Sequence, residues 1–118
     1  MNLETFRNYC LQKAHVDEAF PFDDVTLVFR VNKKMFALLS LKDERSNSCN
    51  LKCDPECAIE LREKFIGIIP GYHMSKKHWN TISFNEDVSD QLILELVDHS
   101  YDLVFKSFSK KIQNELNK

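Results

Sequence analysis

Glycine is scarce in this chain: 118 residues carry two, Gly67 and Gly71, beside three prolines and a single tryptophan. That excludes a flexible glycine-rich linker, and "GIIPG" at 67–71 is not a Walker-type phosphate loop. No apolar run approaches the roughly 20 residues a membrane-spanning helix needs. The start, "MNLETFRNYC", carries an early acid and no apolar stretch, so it does not read as a signal peptide. The expected compartment is therefore the cytoplasm, with no membrane partner. Cysteine is present four times, at positions 10, 49, 53 and 57, but never as C-x2-C, and H-E-x-x-H does not occur. Free thiols in a reducing compartment fit this pattern, and neither a metal nor a cofactor is expected. A net charge of −2 and a pI near 6.1 exclude a surface uniformly coated in positive charge.

Acid is also missing locally. From Glu63 to Glu86 no Asp or Glu occurs, in a chain that has 18 of them. Inside this window "GIIPGYHMSKKHWNT" holds both glycines, the tryptophan, two of the four histidines and the pair Lys76–Lys77. "PG" marks a sharp turn, with Gly71 free to take a positive φ and Gly67 placed to serve a bulge. One reading makes Tyr72 and Trp79 the aromatic plug of a small core, with the lysines left in water. The other makes Tyr72, His73, Lys76, Lys77, His78, Trp79 and Asn80, with Ser75 and Thr81, a surface for phosphates and bases. His73 and His78 have no carboxylate nearby in sequence to orient an imidazole, so acid–base or metal chemistry is not expected and no catalytic residue is assigned.

The rest of the chain reads as one domain, 1–118. Leu3, Phe6, Cys10 and Ala14 recur at helical steps behind Asn2. "HVDEAFPFDD" is an acidic loop. Val25, Leu27, Phe29 and Val31 alternate as a strand, "NKK" at 32–34 turns, and "MFALLSLK" returns. "CNLKC" is a third strand, and Asp54–Pro55 opens a helix to about Lys64. "FIGII" and "WNTISF" form two more strands. A long helix starts near Ser89 with a stripe from Ile93 to Phe108, and "KKIQNELNK" extends it or frays. The order α-β-β-β-α-β-β-α with short connections predicts an α+β fold, an antiparallel sheet with helices packed on one face.

Arg30, Lys33, Lys34 and Lys42 surround the hairpin and are expected to make its tip basic, either as a wing along a nucleic-acid backbone or as ordinary solubilising lysines. Val28, Phe36 and Leu38 fall on the strand face opposite the expected core, which makes them candidate contacts for a protein partner. A third possibility is a small-anion or nucleotide site around His73, Lys76 and His78.

Taken together, the segments resemble the MmcQ/YjbR family of small bacterial proteins over nearly the whole chain. "PGYHMSKKHWNT" matches the family's P-G-Y-H-M-N-K-x-H-W-N type signature, with Ser75 where the family usually has Asn. "FPF" at 20–22, "KMFALL" at 34–39, "LKCDPE" at 51–56 and "SYDLV" at 100–104 follow in the family's order. The resemblance implies the helix–three strands–helix–two strands–helix layout. It also implies DNA binding through two wings, which points to Lys76, Lys77 and their neighbours with the 30–34 hairpin. A monomer is the expected state.

Overall fold

The computed structural model describes residues 1–42, 47–71 and 74–118. Helix α1 (Leu3–Leu11) is capped by Asn2, whose side chain accepts from the Thr5 amide at 2.8 Å, and it buries Phe6 and Cys10. The helical spacing continues to Ala14, but the helix stops at Leu11 with Gln12 as its cap, and His15, at φ 64 in the left-handed region, then turns the chain. A strand follows where a loop is expected: β1 (Val16–Ala19) pairs antiparallel with β2 (Thr26–Val31). Two ion pairs hold this short acidic strand, Arg7 with Glu18 at 2.5 Å and Arg30 with Asp17 at 2.9 Å.

β2 and β3 (Lys34–Ser40) form the expected hairpin. Asn32 and Lys33 both have positive φ (46 and 70), the two-residue geometry whose twist matches the flanking strands. β4 (Ser48–Lys52) follows, and then α2 (Pro55–Lys64), where Asp54 accepts from the Cys57 amide and Pro55 takes the first position. β5 (Ile68–Pro70) and β6 (Trp79–Ser83) lead to α3 (Asp90–Lys106), capped by Ser89. The tail is a separate helix, α4 (Lys110–Leu116), with its own cap at Ser109.

The six strands are all antiparallel, in the order β1-β2-β3-β4-β6-β5. The main core lies between the sheet and the helices, with Phe6, Phe29, Leu39, Leu51, Ile82, Ile93 and Val97 among its residues. The α+β reading therefore stands, enlarged by one edge strand and one short helix.

Phe36 is not on the outer face. The β2–β3 register shifts between Phe29, opposite Ala37, and Arg30, opposite Met35, so Phe36 is the extra residue of a bulge and turns inward. It is fully buried and meets the Tyr101 ring edge-on at 5.3 Å. Ser100 secures the bulge: its Oγ donates to the Phe36 carbonyl at 2.5 Å and accepts from the Lys52 amide at 2.9 Å. Val28 and Leu38 do lie on the other face, but Trp79, Met35 and Met74 pack on them. None of the three thus offers an open apolar contact to a partner.

Candidate functional site

Gly71 and the residues from Ser75 to Trp79 are tied down by backbone hydrogen bonds. Gly71 N–H donates to the Trp79 carbonyl at 2.8 Å, Trp79 N–H to Ser75 at 2.9 Å, and Cys53 N–H to the His78 carbonyl at 2.7 Å. Neither glycine uses a positive φ. Crowding explains both: a Cβ on Gly71 would lie 2.8 Å from the Trp79 Cβ, and one on Gly67 would lie 2.7 Å from the Glu86 Cβ. The expectations of a left-handed Gly71 and of a bulge at Gly67 are replaced by close approach.

Arg62, on α2, is the residue that sequence reading missed. Its Nε donates to Asn80 Oδ1 at 2.6 Å, and its Nη2 reaches the Lys76 carbonyl and, at 3.3 Å, the Trp79 carbonyl. One guanidinium therefore joins helix, strand and loop, a geometry suited to a planar fork of donors. The available signal was faint: Arg62 follows the buried Ala58 by four residues and so shares its inward face.

The predicted site residues separate into two groups. Lys76 and Lys77 are exposed, as is Ser75, and His78 is half-buried. Trp79 is 8% exposed and Asn80 2% exposed, the one under the free sheet face and the other beneath α2, where its amide also reaches the Ala58 carbonyl. Neither side chain lies on the open surface, and Trp79 packs as the aromatic-plug reading expects. Tyr72 and His73 lie outside the described residues.

On the hairpin, Lys33 is exposed at the turn. Arg30 is engaged by Asp17, and Lys34 points toward the end of α3, with its Nζ 3.4 Å from Ser107 Oγ and over the Phe108 ring. Lys42 does not belong to the tip: it follows β3 at the opposite end of the hairpin.

Registers place the two predicted elements at one end of the sheet. Val31 faces Lys34 where the hairpin turns, Leu51 faces Ala37, and Lys52 faces Trp79 where the 71–78 segment enters β6. Lys33, Lys34, Lys52, Lys76, Lys77 and the α3 terminus at Lys106 share this end. The other end carries several acids. Asp23 and Asp24 precede β2, Asp87 binds the Ile66 and Gly67 amides just before β5, and Asp90 at the start of α3 pairs with the N-terminal amine. Those amides hold the Asp87 carboxyl below its usual range, and the Val25 and Thr26 amides do the same for Asp23. Acids are not confined to that end: Asp17 pairs with Arg30 beside the hairpin turn, and Asp54 follows β4 at the lysine-bearing end.

The cysteines are free; burial pushes the Cys10 and Cys53 thiols up to about 12 and Cys49 well above the ordinary thiol range. Among the described residues no group of three His, Cys, Asp or Glu side chains is arranged to hold a metal. Among them, too, no helix is long and apolar enough to cross a membrane.

The sequence and this architecture match a family model described as YjbR over residues 11–103. The chain belongs to the YjbR family. It is similar to the Escherichia coli O157:H7 protein YbdF, described as uncharacterized, at 32% identity over 96% of this chain and 92% of YbdF. The uncharacterized protein YjbR of Escherichia coli K12 is 29% identical, over 86% of this chain and 85% of that protein. Among solved structures, Deinococcus radiodurans protein DR2400, with the domain name DUF419, superposes with a TM-score of 0.92 at 40% identity, covering 98% of this chain and 88% of that one. A Pseudomonas syringae protein follows with a TM-score of 0.76 at 31% identity, over 87% and 98% of the two chains. The YjbR match takes in the whole sheet and most of α3, whereas α4 lies beyond it.

Proposed function

We propose that this YjbR-family protein is a cytoplasmic DNA-binding protein without chemistry of its own, meeting duplex phosphates with the sheet end that bears Lys33, Lys76 and Lys77. One observation carries the reading: two segments distant in sequence, the hairpin turn bearing Lys33 and the loop bearing Lys76 and Lys77, emerge from the same end of the sheet. Strand β4 alone separates β3 from β6, so the two elements stand two strand spacings, about 10 Å, apart, within reach of one DNA backbone. Exposed lysines from both segments supply positive charge to a polyanion at that end. Trp79 and Asn80 hold the loop in place, and the exposed lysines make the contacts.

The test is binding of a fluorescent duplex across a salt series. Phosphate-dominated binding weakens steeply with salt, and Lys76→Ala/Lys77→Ala should reduce the log–log slope by about two, with Lys33→Ala removing about one more. Lys42→Ala, at the far end, should leave the slope unchanged. Duplex affinity indifferent to salt and to the double substitution would eliminate the proposal.

A further inference from the structure

We infer that the helix-free face of the sheet carries a ligand pocket for a nucleobase-bearing small molecule, of the nucleoside 5′-monophosphate class. The pocket encloses about 730 Å³ on the face opposite the helices. That volume lies within the roughly 300–1,000 Å³ typical of small-molecule sites, which combine apolar walls with a few polar groups.

Its walls are apolar and partly open. Phe22, 64% exposed, and Ile69, 50% exposed, line it together with Met74 and the buried Leu38. An aromatic ring, an aliphatic side chain and a thioether in one lining suit a flat, polarisable guest. The Phe22 loop is held in place, because Asp23 accepts from the Val25 amide at 3.0 Å and the Thr26 amide at 2.7 Å.

The floor is polar in an ordered way. Thr26 lies opposite Ser40, Ser40 opposite Ser48 and Ser48 opposite Ser83, a row of hydroxyl residues crossing four strands. One step along, Asn50 faces Thr81, whose hydroxyl donates to the Asn50 amide oxygen at 2.5 Å. The Asn50 NH2 and the hydroxyls of Ser40 and Ser48 make no hydrogen bond with any described residue. All three residues line the pocket. Unengaged groups that both donate and accept, set among apolar side chains, match the hydrogen-bonding edge of a nucleobase.

Charge decides the remainder of the ligand. Asp23 is already engaged by amides and by the Thr26 hydroxyl, while Lys42, at the rim, has no partner among the described residues. Among the described residues, one free cation lining the pocket favours one phosphate group. The inference does not rest on the DNA reading, since the pocket lies beside the Lys76–Lys77 loop and shares only Met74 with that segment.

Trp79 packs with Leu38 and Met74, so its fluorescence reports on occupancy. AMP, GMP, CMP, UMP, the four parent nucleosides and inorganic phosphate would be titrated against the full chain, with amide NMR shifts mapping the contact. At least one monophosphate should bind below about 1 mM, a threshold worth about −4 kcal/mol, and its parent nucleoside a few-fold more weakly. Perturbed amides should cluster at residues 22–26, 38–42, 48–50 and 81. Phe22→Ala, at an exposed position that folding does not need, should weaken binding at least about fivefold, and Ser40→Ala/Ser48→Ala about tenfold. Lys76→Ala/Lys77→Ala should not change it. No response to any probe, an equal response to phosphate alone, or binding indifferent to both groove variants would overturn the inference.

Discussion

Replacing Arg62 by Ala tests whether the 71–79 segment is held from α2. The guanidinium makes a 2.6 Å bond to Asn80 Oδ1, a bond to the Lys76 carbonyl and a weaker one of 3.3 Å to the Trp79 carbonyl. Discounted for partial exposure, the two better bonds contribute about 1 kcal/mol each, although charged donors reach more when fully buried. Truncation also strands the Asn80 carbonyl in a site where the residue is 2% exposed, adding about 1 kcal/mol for an unsatisfied acceptor. The total is about 3 kcal/mol, which for a chain of this length lowers Tm by about 12 °C. Circular dichroism melts measure the global effect, and hydrogen exchange of the His78 and Trp79 amides measures the local one. Arg62→Lys should recover less than half of the loss, because one ammonium cannot span both the side chain of Asn80 and the carbonyl of Lys76. A Tm change under about 3 °C with unaltered exchange at residues 78 and 79 would refute the account, since three lost bonds cannot be that small.

Acid should reveal Asp87. Its carboxyl is held below the usual range by the Gly67 and Ile66 amides, so the stability it adds is complete above the ordinary carboxyl value of 3.8 and fades as pH falls through the depressed folded value. The Tm gap between wild type and Asp87→Asn should therefore be widest near neutrality and close below about pH 4; a gap independent of pH would contradict this. Thiol reactivity is a second check: with Cys10 and Cys53 raised to about 12 and Cys49 buried, Cys57 alone should label rapidly in native protein at pH 8, and mass spectrometry would detect any second fast site. Gly71→Ala should destabilise by about 1–3 kcal/mol through overpacking, because the new methyl would sit 2.8 Å from the Trp79 Cβ; a neutral change in denaturant midpoint would show that the loop can shift aside.

Much of the fold was legible because local chemistry and tertiary packing agree. Asp54–Pro55 and Ser89 open helices where capping rules place them, and the 32–34 turn closes the hairpin it suggested. What escaped was decided at long range. Val16–Ala19 lacks an alternating apolar pattern and becomes a strand because β2 offers it a ladder and Arg7 and Arg30 offer its acids partners. Phe36 changed faces through a single bulge residue, since a one-residue shift inverts every later side chain until it is corrected. The lysines of the candidate site were readable as exposed, because lysine seldom is otherwise. Asn80 was not readable as buried, and for Trp79 burial was one of two open readings, because the outcome depends on Met74, Arg62 and the face each residue presents in β6. Periodicity within the 71–81 segment carries none of this information.

The two outermost strands have a consequence for assembly. On one side the sheet ends at β5, three residues long and finished by Pro70, which has no amide hydrogen to donate. On the other it ends at β1, four residues long and carrying Asp17 and Glu18. Neither rim offers a long, uncharged row of free amides and carbonyls, the template on which a further strand would be added. Copies of this chain at high concentration are accordingly barred from growing into a continuous ribbon, and concentrated solutions should remain free of thioflavin-positive fibres while the fold is intact.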